Sequence, residues 1–233
     1  MLTLLPLPRV SLGTSFDVCG KLRGLTGIKK VGHAGTLDPQ ATGLLIVCVG
    51  KAATRAVDHF QGLEKAYEGT LRLGEETASY DACTPVERSA EWSHLTDSDI
   101  EAAASSFLGE TMQLPPMYSA IKRRGRKLYE LARKGITVER EPRPIRIDEF
   151  KVWRNEGEDP QTVHFAVRCS KGTYIRCLAH DLGTKLQSAA HMTSLRRTQI
   201  GEYNVDRAWR LQALIDHMTT MQQEREKEAS SME

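Results

Sequence analysis

No apolar run in this 233-residue chain approaches the roughly 20 residues that a membrane-spanning helix requires. The opening Met1-Leu2-Thr3-Leu4-Leu5-Pro6-Leu7-Pro8 is mildly apolar, but reads as too short and too proline-broken for a secretion signal. Paired cysteines are missing as well. The five present (Cys19, Cys48, Cys83, Cys169 and Cys177) form no C-x-x-C step and no ligand cluster, which argues against zinc and disulfides and for reduced, mostly buried thiols. There is no internal repeat, and almost no net charge, +2 in total. What remains is an ordinary globular composition, 40% hydrophobic and 27% charged. A chain of this length can bury one sizeable core, as one domain or one domain with an insertion.

The small net charge conceals an uneven distribution. Residues 61–110 carry three basic and eleven acidic side chains, whereas residues 117–146 carry ten basic and three acidic ones. Such asymmetry fits one face turned to a polyanion and another left to solvent, although a charge run alone is more often a solvated face.

The most informative stretch is Gly32-His33-Ala34-Gly35-Thr36-Leu37-Asp38-Pro39-Gln40-Ala41-Thr42-Gly43. Three glycines permit positive φ and close backbone approach, so it reads as a shaped loop. Pro39 fixes its own φ and pushes Asp38 towards an extended conformation. The apolar run Leu44 to Val49 that follows predicts a buried strand. A polar loop on the edge of a sheet is a usual mount for reactive groups. Taken as a whole, GHAGTLDPQATGLL resembles the catalytic loop of the TruB family of tRNA pseudouridine synthases.

Further segments extend that resemblance over residues 13–205. Lys65 to Leu73 alternates with period two, placing Tyr67, Leu71 and Leu73 on one face with Lys65. The motif Leu73-Gly74-Glu75-Glu76-Thr77, then Asp81, continues the match, with Ala78 and Cys83 where many relatives have aspartates. PPMYSAIKRRGRKLYELARKG, from Pro115, resembles the family's RNA-clasping insertion. SKGTYIR, from Ser170, resembles the motif whose arginine pairs with the catalytic aspartate, and Ser194 to Thr198 the segment whose leucine lines the uracil pocket. In place of the family's Lys-Pro step stands Pro8-Arg9-Val10-Ser11-Leu12, which marks an altered first strand or a missing upstream segment.

Gly13 to Val18 reads as a helix start, with Thr14 or Ser15 as the N-cap and Asp17 in the first turn. Periodicity and end signals predict further helices at about 51–60, 97–108 and 126–134, the second of these with Ser98 and Glu101 in capping-box spacing. Strands are expected at 145–153 and 162–169. A helix after Gly172 should bury Ile175, Leu178, Leu182 and Leu186, with Arg176 off that face. From Arg210 an amphipathic helix should run into a frayed, Glu-rich tail.

The resemblance implies an α/β (α+β) fold with a mixed, largely antiparallel sheet, a catalytic domain over 1–210 with the insertion at about 115–143, and a C-terminal helix and tail at 211–233 without a second RNA-binding domain. It implies isomerisation of the T-arm uridine at tRNA position 55, with base flipping and neither cofactor nor metal. Asp38 would be nucleophile or base, Arg176 its cationic partner, and Tyr67 the ring stacked on the base. His33, Leu195 and Tyr174 would contact the substrate; Lys65, Lys122, Arg123, Arg124 and Lys127 would contact the RNA backbone. The expected partner is tRNA alone, bound by a monomer away from membranes, in the cytoplasm or an organelle. Two rivals stand beside this: an impaired RNA-binding folding helper, and a synthase for another RNA.

Overall fold

Leu44 to Val49, the apolar run behind the glycine-rich loop, are each 3% exposed or less. The computed structural model describes residues 2–7, 14–123 and 125–230, and divides the chain into two units, Met1–Lys65 with Arg196–Glu233, and Ala66–Leu195. The altered step at Pro8 to Leu12 lies outside the described residues.

The first unit begins with β1 (Leu2–Leu7), α1 (Ser15–Thr26), β2 (Val31–His33) and β3 (Thr42–Val49). β3 is its centre, antiparallel to β1 through Leu2↔Cys48 to Leu7↔Gly43 and to β2 through Val31↔Val49 and His33↔Val47. Period-two alternation gives β3 two apolar faces. Leu45, Val47 and Val49 pack with Val18, Cys19 and Leu22 of α1, while Leu44, Ile46 and Cys48 pack with Phe60, Ile200 and Val205. Each such side chain contributes about 1.5–3 kcal/mol by leaving water. Of the two cap candidates Thr14 is the one that caps α1, its N–H donating to the Asp17 carboxylate at 2.6 Å, while Ser15 is the first helical residue. The single helix expected over 51–60 is instead α2 (Lys51–Thr54) and α3 (Val57–Gly62). The Ala56 N–H closes a tight turn on the Ala53 carbonyl at 3.0 Å, which interrupts the α-helical ladder.

The second unit holds β4 (Lys65–Leu73, its first residue assigned to the first unit), β5 (Glu75–Thr77), β6 (Val86–Ser89), α4 (Asp97–Ser105), β7 (Gly109–Gln113), β8 (Lys122–Arg123), β9 (Arg126–Lys127), α5 (Leu128–Ala132), β10 (Arg143–Trp153), β11 (Thr162–Cys169), α6 (Ile175–Lys185) and the start of β12 (Ala190–Ile200). Its sheet runs β12-β4-β11-β10-β7, with β10 antiparallel to both β11 and β7. β4 and β11 have the expected limits, and Val163, Phe165, Val167 and Cys169 are all buried on one face of β11. Ile175, Leu178, Leu182 and Leu186 of α6 are buried as the spacing predicts.

Two helices of the second unit also differ from expectation. α4 is capped by Thr96 with Asp99, not by Ser98 with Glu101, and ends at Ser105. The helix expected over 126–134 is reduced to α5, because Arg126 and Lys127 pair with Arg123 and Lys122 as a two-stranded ribbon. Gly125, at φ +80°, supplies the turn that reverses this ribbon.

β13 (Tyr203–Asn204) and α7 (Leu211–Ser230) complete the first unit, in which β12 lies parallel to β3 through Arg196↔Thr42 and Arg197↔Gly43. The fold is thus a mixed, mainly antiparallel α/β arrangement. Leu211 and Leu214 anchor α7 on the α1–β3 cluster. α7 continues through the Glu-rich stretch to Ser230, where a frayed tail was expected. Among the described residues no helix is long and apolar enough to cross a membrane.

Candidate active site

In the first unit, the polar loop leaves β2 at His33 and enters β3 at Thr42. The Ala34 N–H donates to the Ile46 carbonyl at 2.9 Å, and the Leu37 N–H to the buried Ser15 hydroxyl at 3.1 Å. The Ala41 N–H then donates to the Asp38 carbonyl at 2.9 Å. Asp38-Pro39-Gln40-Ala41 is therefore a β-turn with proline at its second position, where its φ is already set. The Asp38 residue is half-buried while Pro39 and Gln40 are exposed. A carboxylate on such a tied loop is held close to the surface.

His33 shares this loop. Its ring meets Phe16 edge-on at 5.8 Å, and its Nδ1 is buried without a hydrogen-bond partner. Burial pushes its pKa below the ordinary histidine value, and the Arg197 guanidinium adds to that shift, so the neutral ring is favoured. Lys65 departs from its expected place on the RNA-facing surface. It is 6% exposed, and its ammonium donates to the Gln61 carbonyl at 2.6 Å and to the Leu63 carbonyl. Its charge meets the carbonyl-rich end of α3, as a cation at a helix C-terminus should.

In the second unit, Arg176 is the residue that departs most from a surface reading. It lies in the first turn of α6 and is 4% exposed. Nη1 and Nη2 both donate to the Tyr118 carbonyl at 3.1 Å, Nη1 also donates to the Ser79 carbonyl, and Nε lies 3.6 Å from Asp81 Oδ2. Asp81, itself buried, accepts from the Ser79 hydroxyl and from the Cys83 N–H at 2.9 Å. Tyr174 caps α6, with the Arg176 guanidinium 6.0 Å from its ring centre. The buried Gln113 side chain clamps Tyr174, accepting from its N–H at 2.8 Å and donating to its carbonyl at 3.1 Å. Asp81, Ser79, Gln113 and the Tyr118 carbonyl were not singled out as partners of this motif. Their separations along the chain leave no local signal for such pairing.

Tyr67 is half-buried on β4, and Leu195 is 8% exposed on the neighbouring β12. The two strands are joined there by Thr70 Oγ1, which bonds Thr193 Oγ1 and Ser194 Oγ at 2.7 Å each. On the basic ribbon, Lys122 and Arg123 are exposed, and Arg123 also donates to the Glu139 carbonyl. Lys127 lies 5.4 Å from the Tyr129 ring centre, matched by Arg133 at 5.4 Å. Arg124 lies outside the described residues. Among the described residues no group of three or more His, Cys, Asp or Glu side chains could hold a metal ion.

Over 92% of its length the chain superposes on a chain of a Cbf5–Nop10–Gar1 complex, with a TM-score of 0.69 and 29% identity. Over 96% it superposes on a chain of an H/ACA RNP bound to a substrate RNA containing 2′-deoxyuridine, with a TM-score of 0.68 and 25% identity. It spans only 53% and 55% of those two chains. The fold and the aspartate loop define the class: pseudouridine synthases. Residues 23–175 match the TruB family pseudouridylate synthase N-terminal domain, and residues 176–232 the tRNA pseudouridylate synthase B C-terminal domain. The chain belongs to the TruB family. It is 47% identical to tRNA pseudouridine synthase B of Opitutus terrae over 86% of this chain and 82% of that one. To the protein of the same name from Chlorobaculum tepidum it is 45% identical, over 88% and 86%.

Proposed function

We propose that this chain isomerises uridine to pseudouridine in tRNA, at position 55 of the T arm, acting as a monomer without cofactor or metal. The observation that carries the reading is the half-buried Asp38 on a turn tied to β3 and α1, inside a motif of the TruB family. Asp38 is the reacting carboxylate, as covalent nucleophile or as the base that yields a glycal. In either route the C1′–N1 bond breaks, the uracil turns, and C5 takes C1′. The C5 proton leaves and N1 gains one, so the composition of the RNA is unchanged.

Arg176 orients Asp38 through its guanidinium fork, and Tyr67 stacks on the extruded ring close to the C5 proton. Leu195 and Tyr174 line the base slot. A T-arm base must be flipped to be reached, at a cost of a few kcal/mol, and His33 supports the vacated stack. A neutral ring suits that role better than a cation. Lys122, Arg123, Arg124 and Lys127 contact phosphates, which positions the RNA without reading its sequence. Lys65 takes no part in these contacts, because its ammonium is buried on carbonyls.

Tritium release from a tRNA transcript labelled at uridine C5 tests the assignment. Wild type should release label and Asp38→Asn should not, while both bind the T arm comparably. Unchanged turnover in Asp38→Asn would overturn the role of the aspartate. Binding without release by wild type would point to the folding helper.

A further inference from the structure

We propose that Arg197 is the positioning residue that closes the base of the Asp38 loop and so aims its carboxylate. The proposal rests on the reading of Asp38 as the reacting group. Arg197 lies on β12 opposite Gly43 of β3, and it is among the largest fully buried side chains, at 2% exposure. Its Nε donates to the Leu44 carbonyl at 2.8 Å and its Nη2 to the Gly35 carbonyl at 3.1 Å. These carbonyls flank residues 36–43, so one planar group ties both feet of the loop that carries Asp38.

The glycines of the motif fit the same device. A Cβ on Gly43, which has φ +104°, would lie 2.1 Å from the Arg197 carbonyl oxygen and 2.6 Å from its nitrogen. A Cβ on Gly35 would lie 3.5 Å from Nη1. Two of the three glycines in the motif therefore face Arg197, one its main chain and one its guanidinium. Burying a guanidinium is expensive, and among the described residues no carboxylate pairs with this one. Two main-chain acceptors satisfy it only in this geometry. Lysine, a point charge on a flexible stem, does not present the fixed fork that reaches both carbonyls. With the loop's middle held by Ser15 at Leu37, the Asp38 turn is left with little freedom.

The test uses full-length Arg197→Lys and Arg197→Met beside wild type. Single-turnover tritium release, T-arm RNA affinity, folded fraction by circular dichroism and amide exchange at Leu37 and Ala41 are measured. In both variants the chemical rate should fall about 10–100-fold, the loss expected from an ångström of misplacement, with RNA affinity unchanged. Exchange at Leu37 and Ala41 should accelerate while the β3 amides stay protected. A wild-type rate in Arg197→Lys would show that charge alone suffices and would overturn the bracing. So would rate losses that merely follow the unfolded fraction, with exchange raised throughout β3. If wild type releases no tritium, the catalytic reading fails, and the loop exchange still decides the bracing: unchanged exchange in both variants overturns it.

Discussion

Arg176 and Asp81 illustrate how a charge enters an interior. Both side chains are more than nine-tenths buried, and the guanidinium is surrounded by carbonyl oxygens as well as the carboxylate. Removing one partner of such a pair leaves the other desolvated. Asp81→Ala should therefore cost about 3–5 kcal/mol in urea unfolding and reduce turnover, whereas a surface pair would cost little. Two histidines give opposite pH signatures. His33 is held below its unfolded value of about 6.5, so its stabilisation is complete above that pH and is lost as pH falls through the depressed folded value. For His180, burial opposes protonation, but the Asp181 and Glu76 carboxylates outweigh it and raise the pKa. Its stabilisation is full below about 6.5 and is lost as pH rises through the raised value. Unfolding free energies across pH should show His33→Gln flattening the acid side only, and His180→Gln the neutral-to-alkaline side only.

At the scale of elements, α4 shows why a cap is hard to assign. Thr96-x-x-Asp99 and Ser98-x-x-Glu101 both satisfy the capping-box spacing. Thr96 prevails because Asp99 accepts from its N–H at 2.9 Å and its hydroxyl at 2.6 Å, in a phase that buries Ile100, Ala103 and Ala104. Thr96→Ala should cost about 1 kcal/mol in thermal unfolding, and Ser98→Ala much less. β4 and β12 show the opposite case, in which packing dictates a residue. A Cβ at Gly69 would lie 2.2 Å from the Ser194 carbonyl and 2.7 Å from the Phe165 ring. Gly69→Ala should destabilise by about 1–3 kcal/mol through overpacking, read as a lower denaturation midpoint with an unchanged m-value.

Across the whole chain, charge is distributed rather than accumulated. A net of +2 gives little overall attraction for RNA, so on the proposed reading binding draws on the basic segment 117–146. Lys122→Ala with Lys127→Ala should weaken T-arm binding and flatten its log–log salt slope by up to about 1.4–1.8, the release expected for two phosphate contacts. A slope as steep as wild type would place the phosphate contacts elsewhere.

Part of the local structure was readable from the chain itself. The limits of β4 and β11, the apolar face of α6 and the buried run behind the aspartate loop all follow from side-chain spacing. The loop's family likeness was readable as well, because its glycines, Asp38 and Pro39 are contiguous. The tertiary structure alone decided where isolated charges went. Arg176 reaches Asp81 and Tyr118, Lys65 turns onto the end of α3, and Arg197 spans Gly35 and Leu44. A buried cation is stable only where acceptors converge, and these acceptors are mostly backbone carbonyls. Every residue carries such a carbonyl, so no residue type in the sequence marks the place.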